Sequence, residues 1–219
     1  MTVADLTDED LAAGEVLFAK EWRFVLGAPK LEILPPADRP EIAFAGRSNV
    51  GKSTLLNALM NHHGLARTSN TPGRTQELNY FRTSEALLYL VDMPGYGFAE
   101  APKENVKAWN KLLRQYLAGR PTLARVFLMV DSRHGLKTPD REIMEMLNTA
   151  AVTYQIVLTK ADKIKPTELD KLAHATLKAL EKEPAAFPDV IATSSEEKTG
   201  IAELRGTIAA LLKEHSPGR

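Results

Sequence analysis

The chain has 219 residues, 44% of them apolar and 26% charged, which fits one α/β domain with some decoration and excludes a disordered or fibrous chain. It contains no cysteine, so a disulfide scaffold, a thiolate metal site and a cysteine nucleophile are all excluded, and a reducing compartment fits. Lysine plus arginine and aspartate plus glutamate number 28 each, so no overall basic excess marks a nucleic-acid binder, and no DNA partner is expected.

The acidic N-terminus, MTVADLTDEDLAAGE, lacks the apolar core of a signal peptide. No apolar run approaches the roughly 20 residues needed to cross a bilayer, so a monomeric cytoplasmic protein without a membrane partner is expected. In chain order, a helix is expected over residues 8–20, followed by an extended arm ending in Pro35-Pro36. Trp22 and Phe24 pack this arm onto the domain in the simplest reading, a partner surface being the alternative. Residues 1–38 thus read as a helix and arm on a domain spanning 39–214, with a frayed tail at 215–219.

Within the domain a strand over 41–45 leads to a helix over 52–61, and strands follow over 78–82 and 87–92. Helices over 106–118, 139–150, 166–183 and 201–213 alternate with strands over 125–131, 153–158 and 189–192. Runs such as VFLMV and QIVL are apolar without alternation, as where helices cover both faces. The pattern predicts an α/β fold with a mostly parallel six-stranded sheet and helices on both faces.

The first of these strands, EIAFA, runs straight into GRSNVGKST. Gly46, Gly51, Lys52 and Ser53 satisfy GxxxxGK[ST] between a strand and a helix, the context a phosphate loop requires. Glycines let the backbone close around an anion, so the N–H groups of Arg47, Ser48, Asn49, Val50 and Thr54 and their neighbours can face phosphates. The helix start adds its dipole. Lys52 would reach the β- and γ-phosphates, and the Ser53 hydroxyl would ligate Mg²⁺.

A phosphate loop does not choose a base. In QIVLTKADK, which starts as an apolar strand, Asp162 can accept from guanine N1–H and the 2-amino group, which adenine lacks. Thr159 and Ala161 flank the segment, and the stem of Lys160 would lie along the base. Thr193, Ser194 and Ser195 follow the last strand, where the N–H of Ser194 or Ser195 could meet guanine O6. Asp92, at the end of LLYLVDMPG, is placed to hold Mg²⁺ through water; Met93 and Pro94 lead to Gly95, whose N–H can feel the γ-phosphate. The polar SNTPGRTQ suits a mobile loop, in which a threonine could complete the magnesium shell only while the γ-phosphate is present.

Together, GRSNVGKST, PGRTQ with the following NYF, DMPGYGFA, TKADK and TSSEEKTG resemble the translation-factor-like P-loop GTPases and, more closely, the EngB (YihA/YsxC) family of bacterial GTPases. That resemblance implies GTP hydrolysis as a molecular switch in assembly of the large ribosomal subunit, with a precursor of that subunit as partner, and a need in cell division and septation. It implies that Thr75 rather than Thr71 is the switch threonine on Mg²⁺, beside Ser53 and Asp92, with Gly73, Arg74, Gln76 and Glu77 facing the nucleotide. The family carries threonine where most GTPases have asparagine, at Thr159, which leaves open the lateral tie that the asparagine side chain makes to the phosphate loop.

Lys52, Thr75, Gly95 and Asn49 are the candidate catalytic residues. Tyr96 stands where many small GTPases orient the attacking water with glutamine, so intrinsic hydrolysis is expected to be slow; its alternative role is packing. Asn49 could instead hold a K⁺ ion against the phosphates, or merely shape the loop, and Arg74 could act as an arginine finger or touch a partner. His62 and His63 suit a helix end, His134 has no second ligand at useful spacing, and Asp140 reads as an early-helix acid. A guanine-nucleotide-dependent scaffold without useful hydrolysis and a P-loop ATPase or kinase are the alternatives; Asp162 speaks against the latter.

Overall fold

The computed structural model describes residues 5–66, 77–85, 87–97 and 103–215. Its centre is a set of strands that read as uninterrupted apolar runs: β2 (Glu41–Gly46) and β6 (Tyr154–Thr159) are buried at every position, and β5 (Leu123–Asp131) at its last seven. A strand covered on both faces cannot alternate, and helices supply the cover.

On one face α3 (Lys103–Gly119), α4 (Thr138–Thr149) and α5 (Pro166–Leu180) contribute Tyr116, Ile143, Leu147 and Leu180 to a core with Ala43, Leu128 and Ile156. On the other, α1 (Asp8–Phe18), α2 (Lys52–Leu59) and α6 (Ile201–His215) bury Phe18, Leu55, Leu56, Leu204 and Ile208 against Phe44 and Phe127, whose rings stack at 5.3 Å. α1 starts on a reciprocal cap: Asp10 N–H donates to the Thr7 hydroxyl and Thr7 N–H to the Asp10 carboxylate.

With β1 (Trp22–Ala28), β3 (Leu78–Thr83), β4 (Tyr89–Asp92) and β7 (Ala186–Ala192), the sheet has seven strands in the order β1-β3-β4-β2-β5-β6-β7. β4, β2, β5, β6 and β7 run parallel, while β3 is antiparallel to both β4 and β1. The expectation of six strands is corrected here, because the stretch read as an extended arm supplies the seventh. A bulge between Phe24 and Leu26 breaks its period of two, and as an edge strand it has a mixed burial pattern. Trp22 is buried and stacks on Phe18, whereas Phe24 is half exposed, its ring edge-on to Phe81. β7 is the other edge, where Pro188 is tolerated.

At the end of the sheet where β2 begins, fully buried Glu41 accepts from the hydroxyls of Tyr80, Tyr116 and Thr122 and from Arg120. Arg120 also holds the Pro35 carbonyl, which ties the proline segment down. Residues 216–219 of the expected tail lie outside the described residues, and His215 closes α6. Among the described residues no helix is long and apolar enough to cross a membrane.

Candidate nucleotide site

The parallel strands β2, β4, β5, β6 and β7 all end on the same edge of the sheet, the edge where open α/β sheets bind ligands. The loop after β2 carries Gly46 to Thr54. Gly46 is wedged so closely that a Cβ would meet Val50 Cγ1 at 2.8 Å and Met129 Cβ at 3.1 Å. Asn49 (φ 63°) and Gly51 (φ 99°) take left-handed backbone, which turns the chain back over the start of α2. Val50 is buried, and α2 opens with Lys52 and Ser53, continues through exposed Thr54, and sends Leu55 and Leu56 into the core.

Lys52 Nζ forms an ion pair with Asp92 Oδ1 at the end of β4. From Asp92 the chain passes alongside the loop: Met93 N–H donates to Phe44 O, Tyr96 N–H to Gly46 O at 3.3 Å, and Ser48 N–H to Tyr96 O at 3.0 Å. Gly95 lies beside Ser48, where a Cβ would be in ordinary contact with its backbone at 3.5 Å. Tyr96 is buried beside Trp109, and its hydroxyl donates to Asp140 Oδ1 at 2.8 Å. Burial, then the adjacent Asp140 charge, pushes the phenol well above its ordinary pKa, so it remains a donor. The packing role for Tyr96 is the one observed.

Asp140 does cap α4, accepting from Lys137 N–H at 2.8 Å, yet that is only part of its work. Its Oδ2 also lies 3.2 Å from Arg47 Nε, in ion-pair rather than hydrogen-bond geometry.

The segments expected to read the base follow β6 and β7. The Thr159 hydroxyl donates to Val50 O at 2.6 Å, so the lateral tie left open by the absent asparagine is made by threonine. Lys160 (φ 57°) reaches back over the phosphate loop, its Nζ 2.7 Å from Asn49 O and 2.9 Å from Asp131 Oδ2. Asp131, at the end of β5, is buried and gripped bidentately by Arg133. Burial raises its pKa, but the hydrogen bonds from Arg133 and Lys160 outweigh this and hold it well below the ordinary range.

Asp162 accepts from the Ser194 hydroxyl at 2.6 Å and pairs with Lys163 at 2.8 Å. The hydrogen bonds from Lys163 and then Ser194 keep its carboxyl ionised below the usual range, the acceptor-only form that guanine requires. Ala161 N–H donates to Thr193 O, joining the two segments. Ser194 N–H already donates to Thr199 O, so of the two amides considered for guanine O6, Ser195 N–H is the one without an acceptor among the described residues. Gly200 (φ 71°) closes this loop where a Cβ would collide with Ala192 O.

Gly73, Arg74, Thr75 and Gln76, with Thr71, lie outside the described residues; Glu77 is described, its carboxylate over Gly27 of β1. His62, His63 and His134 are exposed, and among the described residues no group of three or more His, Cys, Asp or Glu side chains converges. The donor set fits Mg²⁺ bound with a nucleotide: a serine hydroxyl at a helix start and one carboxylate leave most ligand positions to phosphate and water. Sequence reasoning missed Asp131 and the full role of Asp140. The signal for Asp131 was its position at the end of a parallel strand, shared with Asp92 and the TKAD segment.

A phosphate loop, an acidic strand end and the loops after β6 and β7 on one edge of a mostly parallel sheet define the P-loop GTPase fold. The family of 50S ribosome-binding GTPases matches residues 41–160. The chain is 56% identical to the probable GTP-binding protein EngB of Bradyrhizobium diazoefficiens over 207 residues, 94% of this chain and 95% of that one. It is 57% identical to the protein of the same description from Chelativorans sp., covering 92% and 93%. The chain belongs to the EngB family of GTP-binding proteins. Among solved structures, a probable GTP-binding protein engB superposes with a TM-score of 0.63 at 24% identity over 80% of this chain and 99% of that one. Elongation factor SelB of Methanococcus maripaludis with a GTP analogue gives 0.59 at 18% identity, covering 83% and 35%. Both likenesses concern the fold alone.

Proposed function

We propose that the protein binds GTP and GDP with Mg²⁺, hydrolyses GTP to GDP and phosphate, and uses the difference as a switch in assembly of the large ribosomal subunit. The observation that carries the base assignment is Asp162, an ionised carboxylate fixed through Oδ1 by the Ser194 hydroxyl and through Oδ2 by Lys163, two residues after Lys160, which reaches the phosphate loop. With nucleotide bound, Lys52, now paired with Asp92, would reach the β- and γ-phosphates, and Asp92, Ser53 and Thr75 would be the residues that hold Mg²⁺. Mg²⁺, when bound, neutralises phosphate charge as a Lewis acid. Gly95 N–H meets the γ-phosphate, and water attacks phosphorus as the bond to GDP breaks.

Intrinsic turnover is slow, because Tyr96 points into the core and offers no group to orient water. Exposed Asn49 would hold a K⁺ ion, whose positive charge against the phosphates would raise turnover. The partner is a precursor of the large ribosomal subunit, in keeping with the 50S-binding family, and the protein acts as a cytoplasmic monomer needed for septation. The buried Tyr96 also favours a second reading, a nucleotide-dependent scaffold whose hydrolysis is too slow to matter.

The test is competition against fluorescent GDP in Mg²⁺ buffer, for the unaltered chain and Asp162→Asn. Displacement by GTP and GDP but not ATP, with that preference lost in the variant, supports the reading; equal competition by ATP overturns it. Co-sedimentation with large-subunit particles in one nucleotide state, with single-turnover hydrolysis, separates switch from scaffold.

A further inference from the structure

Between Met93 and Tyr96 the backbone has three N–H groups. Those of Met93 and Tyr96 are consumed by Phe44 O and Gly46 O, and Pro94 has none. Gly95 N–H is left without an acceptor among the described residues, in a glycine that lies beside Ser48 and Gly46 of the phosphate loop. Three contacts set its place. Tyr96 is strapped to the loop by its own backbone on both sides, its hydroxyl is held by Asp140, and Gly97 (φ 76°) packs between Arg47 and Pro139 of α4. Asp140 is fully buried and has both oxygens engaged, Oδ1 with Tyr96 and Oδ2 with Lys137 N–H and Arg47.

We propose that Asp140 is a positioning residue for the GTP-bound state: through the Tyr96 hydroxyl it latches the Gly95 segment to the phosphate loop and so presets the Gly95 N–H for a γ-phosphate. The inference rests on the GTPase reading above and adds what tunes it. A diphosphate is held by the loop backbone and Lys52 and stops short of Gly95; only the third phosphate meets that amide. A latch that removes the freedom of Gly95 before binding therefore favours GTP over GDP, since the ordering cost has already been met in the free protein. Arg47, beside Asp140 and one residue after Gly46, makes the latch continuous with the phosphate loop. The N-terminus of α4 thereby becomes a point at which a partner could alter nucleotide preference.

The experiment measures dissociation constants for GDP and for a non-hydrolysable GTP analogue with Mg²⁺ in the unaltered chain, Tyr96→Phe, Asp140→Ala and the double variant. Losing one buried hydrogen bond predicts about a fivefold to tenfold weaker analogue in either single variant, with GDP held within about twofold. The double variant should be no worse than the weaker single one, because both act through one contact. Equal weakening of GDP and analogue would mean general damage to the phosphate loop and overturns the latch, as does an unchanged ratio or strict additivity. Should the Asp140 variant lose the α4 cap and fold poorly, Tyr96→Phe, which keeps the ring, decides alone. If the unaltered chain bound no guanine nucleotide, the proposed function would fall, and the latch with it.

Discussion

The hydroxyl of Thr159 donates to the carbonyl of Val50 across 109 positions of sequence, at 2.6 Å and in the buried interior. One side chain thus ties the segment after β6 to the phosphate loop; in the proposed function this sets the distance between base and phosphate before a nucleotide arrives. A threonine does this with one donor because β6 and the loop after β2 sit on the same sheet edge, with β5 between them.

Thr159→Val keeps the shape and removes that donor, leaving Val50 O buried and unpaired. GDP and GTP affinity should fall together by about tenfold, corresponding to ~1–2 kcal/mol, while Thr159→Ser retains most of the binding. Titration of fluorescent GDP reads both.

Asp131 holds Lys160, and Lys160 holds Asn49 O. Asp131→Asn is expected to weaken both guanine nucleotides about fivefold to tenfold without admitting ATP, since Asp162 is untouched. A competition assay that showed ATP binding in this variant would refute the division of labour between the two aspartates.

Initial rates of GTP hydrolysis should be well above the Na⁺ value when K⁺ replaces it at equal ionic strength. Asn49→Ala should erase the difference. Equal rates in the two salts for the unaltered chain would remove K⁺ from the mechanism.

Asp10 caps α1 with Thr7 and pairs with Lys213 of α6; the Thr7 and Lys213 hydrogen bonds pull its pKa from 3.8 to about 2. A carboxyl depressed in the folded state contributes stability that is complete above its unfolded pKa and is lost as pH falls through the folded value. The contribution should therefore fade between about pH 4 and pH 2, and Asp10→Asn should flatten that part of a melting-temperature profile.

Arg205 on α6 donates to Ala58 O and Leu59 O at the end of α2, to Asn61 and to Glu15 of α1. It is buried, so Arg205→Met should cost about 2–4 kcal/mol in urea denaturation, with GDP affinity of the folded fraction unchanged. A large loss of affinity would place strain at the phosphate loop instead.

The helices and the central strands were legible because their causes are local. Pro139 and Pro166 mark helix starts, and VFLMV and QIVL mark covered strands. β1 was not legible, since seven residues with a bulge carry no clean alternation and need β3 beside them to become a strand. Asp140 read as an early-helix acid because its place in the first turn of α4, where it caps Lys137 N–H, is the local half of its role; Tyr96, 44 positions away, supplies the other half.

By itself the sequence determined which residues stand at the phosphate loop and at Asp162, and which chemistry is expected of them. Both depend on residue types at short spacing: glycines where the backbone must turn, a lysine and serine at a helix start, a carboxylate after an apolar strand. Tertiary structure alone decided how these pieces are coupled. Thr159 with Val50, Lys160 with Asp131 and Asn49, and Tyr96 with Asp140 each join segments that meet only because parallel strands bring their ends to one edge. A hydrogen bond needs an approach within about 3 Å, and no local pattern in a chain records which distant partner will make it.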